Sequence, residues 1–217
     1  LYLSDEEKGW KSQVEEITVK RVPFWLVSTG WKHDFTTKRI ETSKLQSVVD
    51  AFYGRLLFVQ VGENHWPHPR LNNVLDLVGK TEGRKLLRLV YHAQGTLSGV
   101  SFLAHLAGAF VKPSVVWLGG RESLTWEATN PAATYISSIG TLPCCATSGC
   151  WKMRVVAEET GRDDDKHNKS LCEMPVFGNM VNGVSVPIAK CMALISAEEI
   201  IAAIERYYAG GRLSYKA

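Results

Sequence analysis

The segment P-F-W-L-V-S-T at residues 23–29, followed by Gly30, decides the fold of this 217-residue chain. A short run of apolar residues that ends in a turn is typical of a β-strand buried on both faces. The same pattern returns at residues 56–61, L-L-F-V-Q-V, and at residues 114–118, S-V-V-W-L, and glycine follows both. Continuous rather than alternating apolar runs indicate a parallel sheet covered by helices on both sides.

Helical patterns lie between these strands. Leu45, Val48 and Phe52 recur at the spacing of an amphipathic helix over residues 42–52. Ser4 is the predicted N-cap of a helix over residues 5–18. Ser196 is the predicted N-cap of a terminal helix over residues 196–208. Further helices are predicted over 81–93 and 101–110, and further strands over 74–78, 96–100 and 135–139.

Strands alternating with helices at this spacing predict βαβ units. The expected fold is therefore an α/β, Rossmann-like parallel sheet flanked by helices. In such sheets ligands bind beyond the C-terminal ends of the strands. The loops after Thr29, Val61, Val100 and Leu118 are expected to form the rim of a binding site.

The composition excludes several functional classes. Apolar residues make up 45% of the chain, which is enough for an ordinary core. A net charge of +3 lacks the basic excess of a nucleic-acid-binding domain. No apolar run approaches the roughly 20 residues of a membrane-spanning helix. The start has neither an initiator Met nor the features of a signal peptide, so we expect a cytoplasmic protein whose N-terminal part is missing.

All five cysteines lie in the last third of the chain, where regular periodicity disappears. An odd number without a secretory signal argues against a disulfide framework. A structureless stretch of about 50 residues is improbable inside a compact domain, so we expect a metal ion to organise it. The sequence then divides into a Rossmann-like domain at 1–141, a cysteine-rich metal-binding lobe at 142–195, and a C-terminal helix at 196–217 that packs back on the domain.

Four of the cysteines can supply one tetrahedral zinc or iron site. Cys145 and Cys150 can place two thiolates on one ion from a tight turn, and Cys172 and Cys191 can complete the set. Cys144 is the alternative to Cys145. Buried free cysteines, or a redox pair formed by Cys144 and Cys145, are the alternative interpretations.

Charged residues follow the first two predicted strands. Lys32 and Lys38 lie in the first loop, where lysine suits phosphate as a mobile point charge, and a solvated surface loop is the alternative. Glu63 can accept hydrogen bonds from ribose hydroxyls, or can simply be exposed. The predicted helix that begins at Ser101 directs free backbone N–H groups toward a ligand phosphate. His105 lies one turn further on, with a hydrogen-bonded structural role as its alternative.

Taken together, residues 22–208 resemble the C-terminal, donor-binding domain of the ADP-heptose heptosyltransferase family, which has the GT-B fold. Four segments carry the resemblance: W-L-V-S-T-G-W-K-H-D-F-T-T-K at 25–38, D-L-V-G-K-T at 76–81, F-L-A-H-L-A-G-A at 102–109 and V-V-W-L-G-G-R-E at 115–122. The resemblance implies a bacterial glycosyltransferase that uses an ADP-heptose-like nucleotide sugar and a lipopolysaccharide or protein acceptor.

Seven residues are expected at the donor site, the first six by the same resemblance and the last from its position in the predicted helix: Lys32, Lys38, Glu63, Ser101, Phe102, Leu103 and His105. The two lysines lie near the donor phosphates, the three residues that start the helix offer backbone N–H groups to the diphosphate, and the glutamate contacts the nucleoside. His105 completes the set from one turn into the helix.

The cysteine segment resembles a subset of the family, the autotransporter protein heptosyltransferases with an iron-binding four-cysteine finger. The matching segments are C-C-A-T-S-G-C-W, L-C-E-M-P and A-K-C-M-A-L-I-S-A-E-E-I. This resemblance implies that Cys145 (or Cys144), Cys150, Cys172 and Cys191 hold one iron or zinc ion in a structural role. No organic cofactor is expected.

GT-B enzymes bind the acceptor, and usually carry the catalytic base, in their N-terminal domain. We therefore expect this chain to bind a donor with little or no transfer by itself, and its catalytic residue is unknown. One alternative is a non-catalytic nucleotide-binding module, because Val100, Ser101 and Phe102 stand where the family usually has Asp, Ser or Thr, and Gly. The other is a metal-stabilised interaction module without a nucleotide site.

Overall fold

The computed structural model describes residues 2–156, 169–177, 180–181 and 183–215. Most of the polar stretch at 160–170 lies outside the described residues. Six strands form the main sheet: β1 Phe24–Val27, β2 Leu57–Gln60, β3 Val74–Asp76, β4 Gly95–Gly99, β5 Ser114–Gly119 and β6 Ala133–Ser137. They are all parallel and lie in the order β3-β2-β1-β4-β5-β6. This confirms the predicted α/β, Rossmann-like fold.

Helices cover both faces of this sheet. They are α1 Asp5–Gly9, α2 Gln13–Thr18, α3 Thr42–Ala51, α4 Gly83–His92, α5 Phe102–Ala109, α6 Leu124–Glu127, α7 Lys190–Ala193 and α8 Ala197–Ala209. Two 3-10 helices occupy His33–Lys38 and Pro143–Cys145. Within the described part of the chain, no helix is both long and apolar enough to cross a membrane.

Short strands occupy part of the cysteine-rich segment. They are β7 Pro175–Val176, β8 Met180–Val181, β9 Val184–Ser185 and β10 Ile188–Ala189. The first pairs with the fourth and the second with the third, both antiparallel. Backbone hydrogen bonds outside these strands also join its described parts, as between Cys172 and Arg154 and between Lys190 and Met174.

The helix predicted over residues 5–18 is wrong as a single element, because the chain forms α1 and α2 there. Helix α1 ends at Gly9, a residue type that disfavours helix continuation. Ser12 then starts a second helix, since its side chain accepts a hydrogen bond from the backbone N–H of Glu15. The predicted N-caps Ser4 and Ser196 are both confirmed, each within a capping box.

The apolar strands bury their two faces in separate cores, because successive side chains on a strand point to opposite sides. Trp25 and Val27 of β1 share a core with residues of α3 and α8. Phe24 and Leu26 pack on the other face, with residues of α4 and α5. Trp25 is fully buried, and its indole N–H donates to the hydroxyl of Tyr208 at 2.9 Å. Tyr208 belongs to α8, so this bond fixes the terminal helix to the central strand.

The strand order locates the crevice where a ligand would bind. From β1 the chain proceeds outward to β2 and β3, and then returns to place β4 on the other side of β1. The loops that follow β1 and β4 therefore diverge and leave a crevice at the C-terminal edge of the sheet. Ligands of open α/β sheets bind at such a switch point.

Candidate functional site

Lys38 lies at the crevice between the ends of β1 and β4. It ends the 3-10 helix that follows β1, and its Nζ donates to the carbonyl oxygen of Val100 at 3.3 Å. Val100 directly precedes Ser101, the N-cap of α5. The Ser101 side chain makes no capping hydrogen bond, so the first amides of α5 have no side-chain cap. A cation and a helix N-terminus thus share one crevice, and both favour an anion.

A buried carboxylate lies beside this lysine. Glu122 is only 2% exposed, and its Oε1 lies 2.5 Å from the Nζ of Lys38. The same oxygen pairs with Nη1 of Arg121. Its Oε2 is buried, without a hydrogen-bond partner among the residues that the structure describes. Glu122 therefore acts as an internal counter-ion for the crevice, a role that the sequence analysis did not assign.

The other predicted donor residues surround the same edge of the sheet. Lys32 and Glu63 are exposed, and Glu63 pairs with His65 at 3.1 Å. Phe102 is 65% exposed at the start of α5, whereas the Leu103 side chain is buried in the core and can offer a ligand only its backbone. His105 is exposed rather than buried. The structure thus joins Lys38 to Val100, the residue directly before Ser101, and leaves Lys32 and Glu63 in neighbouring loops.

An aromatic cluster that the sequence analysis missed is built on the loop after β2. The ring of Trp66 lies 4.8 Å from that of His65 and 5.8 Å from that of His33, and the Nζ of Lys32 lies 5.7 Å from the same indole. The residues come from loops after different strands, so only the fold reveals the cluster.

His68 anchors that loop. Its imidazole fills the space between the glycines that follow β1 and β2, where a Cβ at either glycine would collide with the ring. Burial, followed by the nearby charge of Arg70, lowers the pKa of His68 below its ordinary value. His68 is therefore a neutral packing residue near pH 7, and it holds the loop that presents Trp66.

All five cysteines line one small cavity of about 10 Å³, together with Gly120 and Arg121. This volume is close to that of one water-sized sphere. The cysteines are Cys144, Cys145, Cys150, Cys172 and Cys191. The clustering expected from the sequence is therefore present in three dimensions, although the cysteines come from separate segments.

Backbone amides face two of the sulfurs. The backbone N–H of Gly120 lowers the pKa of the Cys191 thiol, and the backbone N–H of Met174 lowers that of Cys172, each against the larger effect of burial. Burial raises the pKa of Cys191 to about 11, against the opposing effect of the Gly120 N–H. Burial and the neighbouring sulfurs also raise the pKa of Cys144 to about 11. Such thiols ionise at neutral pH only when a cation compensates the buried charge.

This donor set fits a thiophilic metal ion such as zinc or iron, because the cavity is the size of one ion and sulfurs surround it. Among the described residues, however, no group of three His, Cys, Asp or Glu side chains already has metal-binding geometry. Coordination would therefore require the thiols to rotate inward. Both Cys144 and Cys145 line the cavity, so either of the two can be the first metal ligand.

If the cysteines hold a metal ion, Gly120→Ala is expected to weaken its retention at least about fivefold, because overpacking a buried site typically costs about 1–3 kcal/mol. A Cβ at Gly120 would lie 2.6 Å from the sulfur of Cys145 and 3.3 Å from the Cβ of Cys191. Metal per chain after equilibration with a graded chelator measures the effect. Gly83→Ala is the control, since a Cβ there meets nothing within 4 Å. Equal retention in both variants would contradict the expected crowding.

A second cavity, of about 260 Å³, lies at the opposite, N-terminal end of the strands. Arg21, Phe24 and His92 are among its lining residues. The Nε2 of His92 is buried there without a hydrogen-bond partner in the described part of the chain. This cavity is separated from the crevice by the length of the sheet and provides a reference location for ligand mapping.

Several solved structures share the fold. Escherichia coli ADP-heptose LPS heptosyltransferase II matches with a TM-score of 0.61 and 11% identity, over 98% of this chain and 54% of that one. A glycosyl transferase family 9 protein from Veillonella parvula DSM 2008 matches with a TM-score of 0.60 and 12% identity, over 94% of this chain and 52% of that one. TibC from enterotoxigenic E. coli H10407, an iron-containing dodecameric glycosyltransferase, matches with a TM-score of 0.57 and 14% identity, over 88% of this chain and 46% of that one.

A further TibC structure, in complex with ADP-D-β-D-heptose, matches with a TM-score of 0.56 at 14% identity, over 88% of this chain and 46% of that one. Identities this low show a shared fold. The chain spans about half the length of the solved structures that it matches. No protein-family model and no curated protein matches the sequence.

Proposed function

We propose that this chain is the donor-binding part of a glycosyltransferase, and that it binds a nucleotide-diphosphate sugar at the crevice between β1 and β4. One observation carries the proposal: the Nζ of Lys38 lies 3.3 Å from the carbonyl of Val100, directly before the uncapped start of α5. A diphosphate in this crevice would meet both a cation and free backbone N–H groups.

The fold supports the sugar-nucleotide part of the proposal. The matching structures named above are heptosyltransferases and a family 9 glycosyl transferase, and one of them holds ADP-D-β-D-heptose. A donor of this class, with an adenine nucleotide and a heptose-like sugar, is therefore the first ligand to test. A lipopolysaccharide or protein acceptor, and the acceptor-binding half of the enzyme, would complete the reaction.

The chemistry assigned to this chain is stabilisation of the leaving nucleoside diphosphate. Negative charge grows on the diphosphate as its bond to the sugar breaks, and preorganised positive groups favour that change. Lys38 and the first N–H groups of α5 supply them in the crevice. Glu122 holds the lysine in place before binding, and the phosphate then shares the ammonium group with it.

The loops after β1 and β2 suit the nucleoside. Trp66 offers an aromatic face, and the nearby Lys32 favours a ligand that combines an aromatic base with phosphate. Glu63 lies in the same loop as Trp66 and can accept from ribose hydroxyls. Lys32 therefore belongs near the outer phosphate or the base rather than in the crevice itself.

We further propose that Cys150, Cys172 and Cys191, with Cys145 or Cys144, hold one iron or zinc ion. Such a closed thiolate site cross-links the segments of the lobe and leaves no open position for substrate. The Gly120 and Met174 N–H groups would stabilise the bound thiolates. The ion's role is structural.

A nucleotide panel tests the proposed donor. A ligand that binds only the folded state at 100 times its Kd stabilises by about 2.7 kcal/mol, which raises Tm by about 5–10 °C for a chain of this size. We expect ADP and ADP-heptose to give this shift in the metal-loaded protein, and UDP and GDP to give less. Lys32→Ala and Lys38→Ala should reduce it, whereas the remote, exposed Lys20→Ala should not. Equal shifts for all three lysine variants would argue against the assigned site.

The alternative is a metal-stabilised interaction module without a nucleotide site. Glu122 already neutralises Lys38, and the exposed Trp126 and Trp151 form an edge-to-face pair of the kind found at interaction surfaces. No shift with any nucleotide, in protein that is folded and metal-loaded, would favour this alternative.

A further inference from the structure

Hydrogen bonds join the cysteine cluster to the Lys38 crevice along two separate segments. We propose that the cluster fixes the position of the Lys38–Glu122 pair, so that metal loading and anion binding at the crevice are thermodynamically coupled. Arg121 is the positioning residue that links the two sites. The inference rests on the proposed function for the identity of the ion and the ligand, but the mechanical link is tested independently of nucleotide binding.

The first segment is the end of β5. Gly120 lies against two cysteines, since an added Cβ there would be 2.6 Å from the sulfur of Cys145 and 3.3 Å from the Cβ of Cys191, and its carbonyl accepts from the N–H of Cys150 at 3.1 Å. The carbonyl of the next residue, Arg121, accepts from the N–H of Trp151 at 3.2 Å. Two cysteine segments therefore hold the backbone that carries Arg121 and Glu122.

The second segment is the 3-10 helix that ends at Lys38. Thr37 donates its N–H to the carbonyl of Met153 at 3.2 Å, and its hydroxyl donates to the carbonyl of Lys152 at 2.8 Å. The N–H of Val155 donates to the hydroxyl of Thr36 at 3.0 Å. The segment that follows Cys150 thus fixes the residue directly before Lys38.

The two segments converge on one carbonyl group. The oxygen of Lys152 accepts both from the hydroxyl of Thr37 and from the Nε of Arg121, the latter at 2.7 Å. Arg121 is only 6% exposed, and its Nη1 pairs with Glu122. The guanidinium carbon also lies 5.3 Å from the ring centroid of Phe35. Lys152 lies two residues after Cys150. A shift of the turn that contains Cys150 would therefore move the Lys152 carbonyl and, through Thr37 and Arg121, the Lys38–Glu122 pair.

Loss of the metal would release the turn at Cys150 and weaken both connections. The Lys38 ammonium would then lose its fixed position beside the start of α5, and a diphosphate would bind a less preorganised site. Coupling of this kind is reciprocal, so a bound nucleotide must also slow metal loss or tighten metal binding by the same factor. We expect a coupling factor of about tenfold, within the usual range for linked sites.

The first experiment compares the zinc-loaded protein with protein depleted by a chelator, using hydrogen exchange and ADP titration. We expect metal removal to raise amide exchange at residues 35–38 and 119–123 while strands β1 and β2 stay protected. ADP should bind about tenfold more weakly to the depleted protein, and ADP should raise the affinity for zinc by the same factor. Unchanged exchange in both segments would overturn the proposal, whatever ADP does.

The second experiment keeps the metal in place, because the metal-depleted protein could lose ADP binding simply by unfolding near the cysteines. Arg121→Gln and Thr37→Val each remove a bond to the Lys152 carbonyl and leave all five cysteines in place; because both residues also line the cysteine cavity, the zinc content of each variant is measured first. We expect both variants to retain one zinc per chain and to bind ADP more weakly, with a coupling factor that approaches one. Arg55→Gln, which removes an exposed ion pair with Glu205 on the far side of the core, is the matched control. Full coupling in Arg121→Gln would overturn the assigned link.

The outcomes separate this inference from the proposed function. If ADP binds equally well with and without metal, the coupling is wrong and the donor site stands. If no nucleotide binds in either state while exchange at 35–38 and 119–123 responds to metal, the link is real and the ligand assignment is wrong.

Discussion

Replacing Cys191 with serine is expected to remove the bound metal and to lower Tm by on the order of 20 °C, since structural thiolate sites contribute on the order of 10 kcal/mol. Cys191 is 6% exposed in α7 and belongs to the same core as Met192 and Trp117. Loss of the Cys191 thiol would therefore loosen both the cysteine-rich segment and the contact of that segment with β5. Calorimetry and metal analysis on the same sample measure both effects.

The matched variants are Cys144→Ser and Cys145→Ser. One of these two sulfurs is expected to be the fourth ligand, so only one substitution should reduce the metal content to the level of Cys191→Ser. The other should retain one metal per chain. Full metal content and an unchanged Tm in Cys191→Ser would contradict a structural metal site.

Lys38→Met is expected to weaken ADP binding at least about tenfold, because a hydrogen bond to a charged group contributes about 1.5–3 kcal/mol. Methionine keeps the buried stem of the side chain and removes only the ammonium group, so the loss reports on charge rather than on packing. Isothermal titration with ADP measures the affinity, and Lys20→Met is the control for a remote lysine.

The same substitution should also destabilise the fold by about 1–3 kcal/mol, since the buried carboxylate of Glu122 loses one of its two positively charged partners. The cost stays below that of a fully broken pair because Arg121 still contacts Glu122. Denaturant unfolding measures it. Undiminished ADP affinity in Lys38→Met would remove this lysine from the donor site, even if the stability falls as expected.

The fold was predictable because its strands are unambiguous. The apolar runs that contain Trp25, Phe58 and Val116 are too continuous for half-exposed strands, and helical patterns separate them. Boundaries moved by one or two residues. The error over residues 5–18 arose because the apolar spacing continues through Trp10 and Val14, while Ser12 supplies a local N-cap that restarts the helix.

The site was only partly predictable. The position of Lys38 after a buried strand placed it at the correct edge of the sheet, because parallel strands all end on one side. Its pairing with Glu122 was not visible, since the two residues are 84 positions apart and only the packing of β1, β4 and β5 brings them together. The same holds for Trp66, whose neighbours come from two loops. The cysteines are clustered in the sequence. Their contact with Gly120 was not predictable, because the fold alone brings the end of β5 next to them.

Photolabelling with an azido derivative of ADP, followed by peptide mapping, locates the proposed nucleotide site. We expect the metal-loaded protein to be labelled at residues 29–38, 62–66 or 100–105, and an excess of ADP to suppress the label. Labelling confined to the cavity around Arg21 and His92, at the opposite end of the strands, or labelling that ADP does not suppress, would contradict a nucleotide site at the crevice.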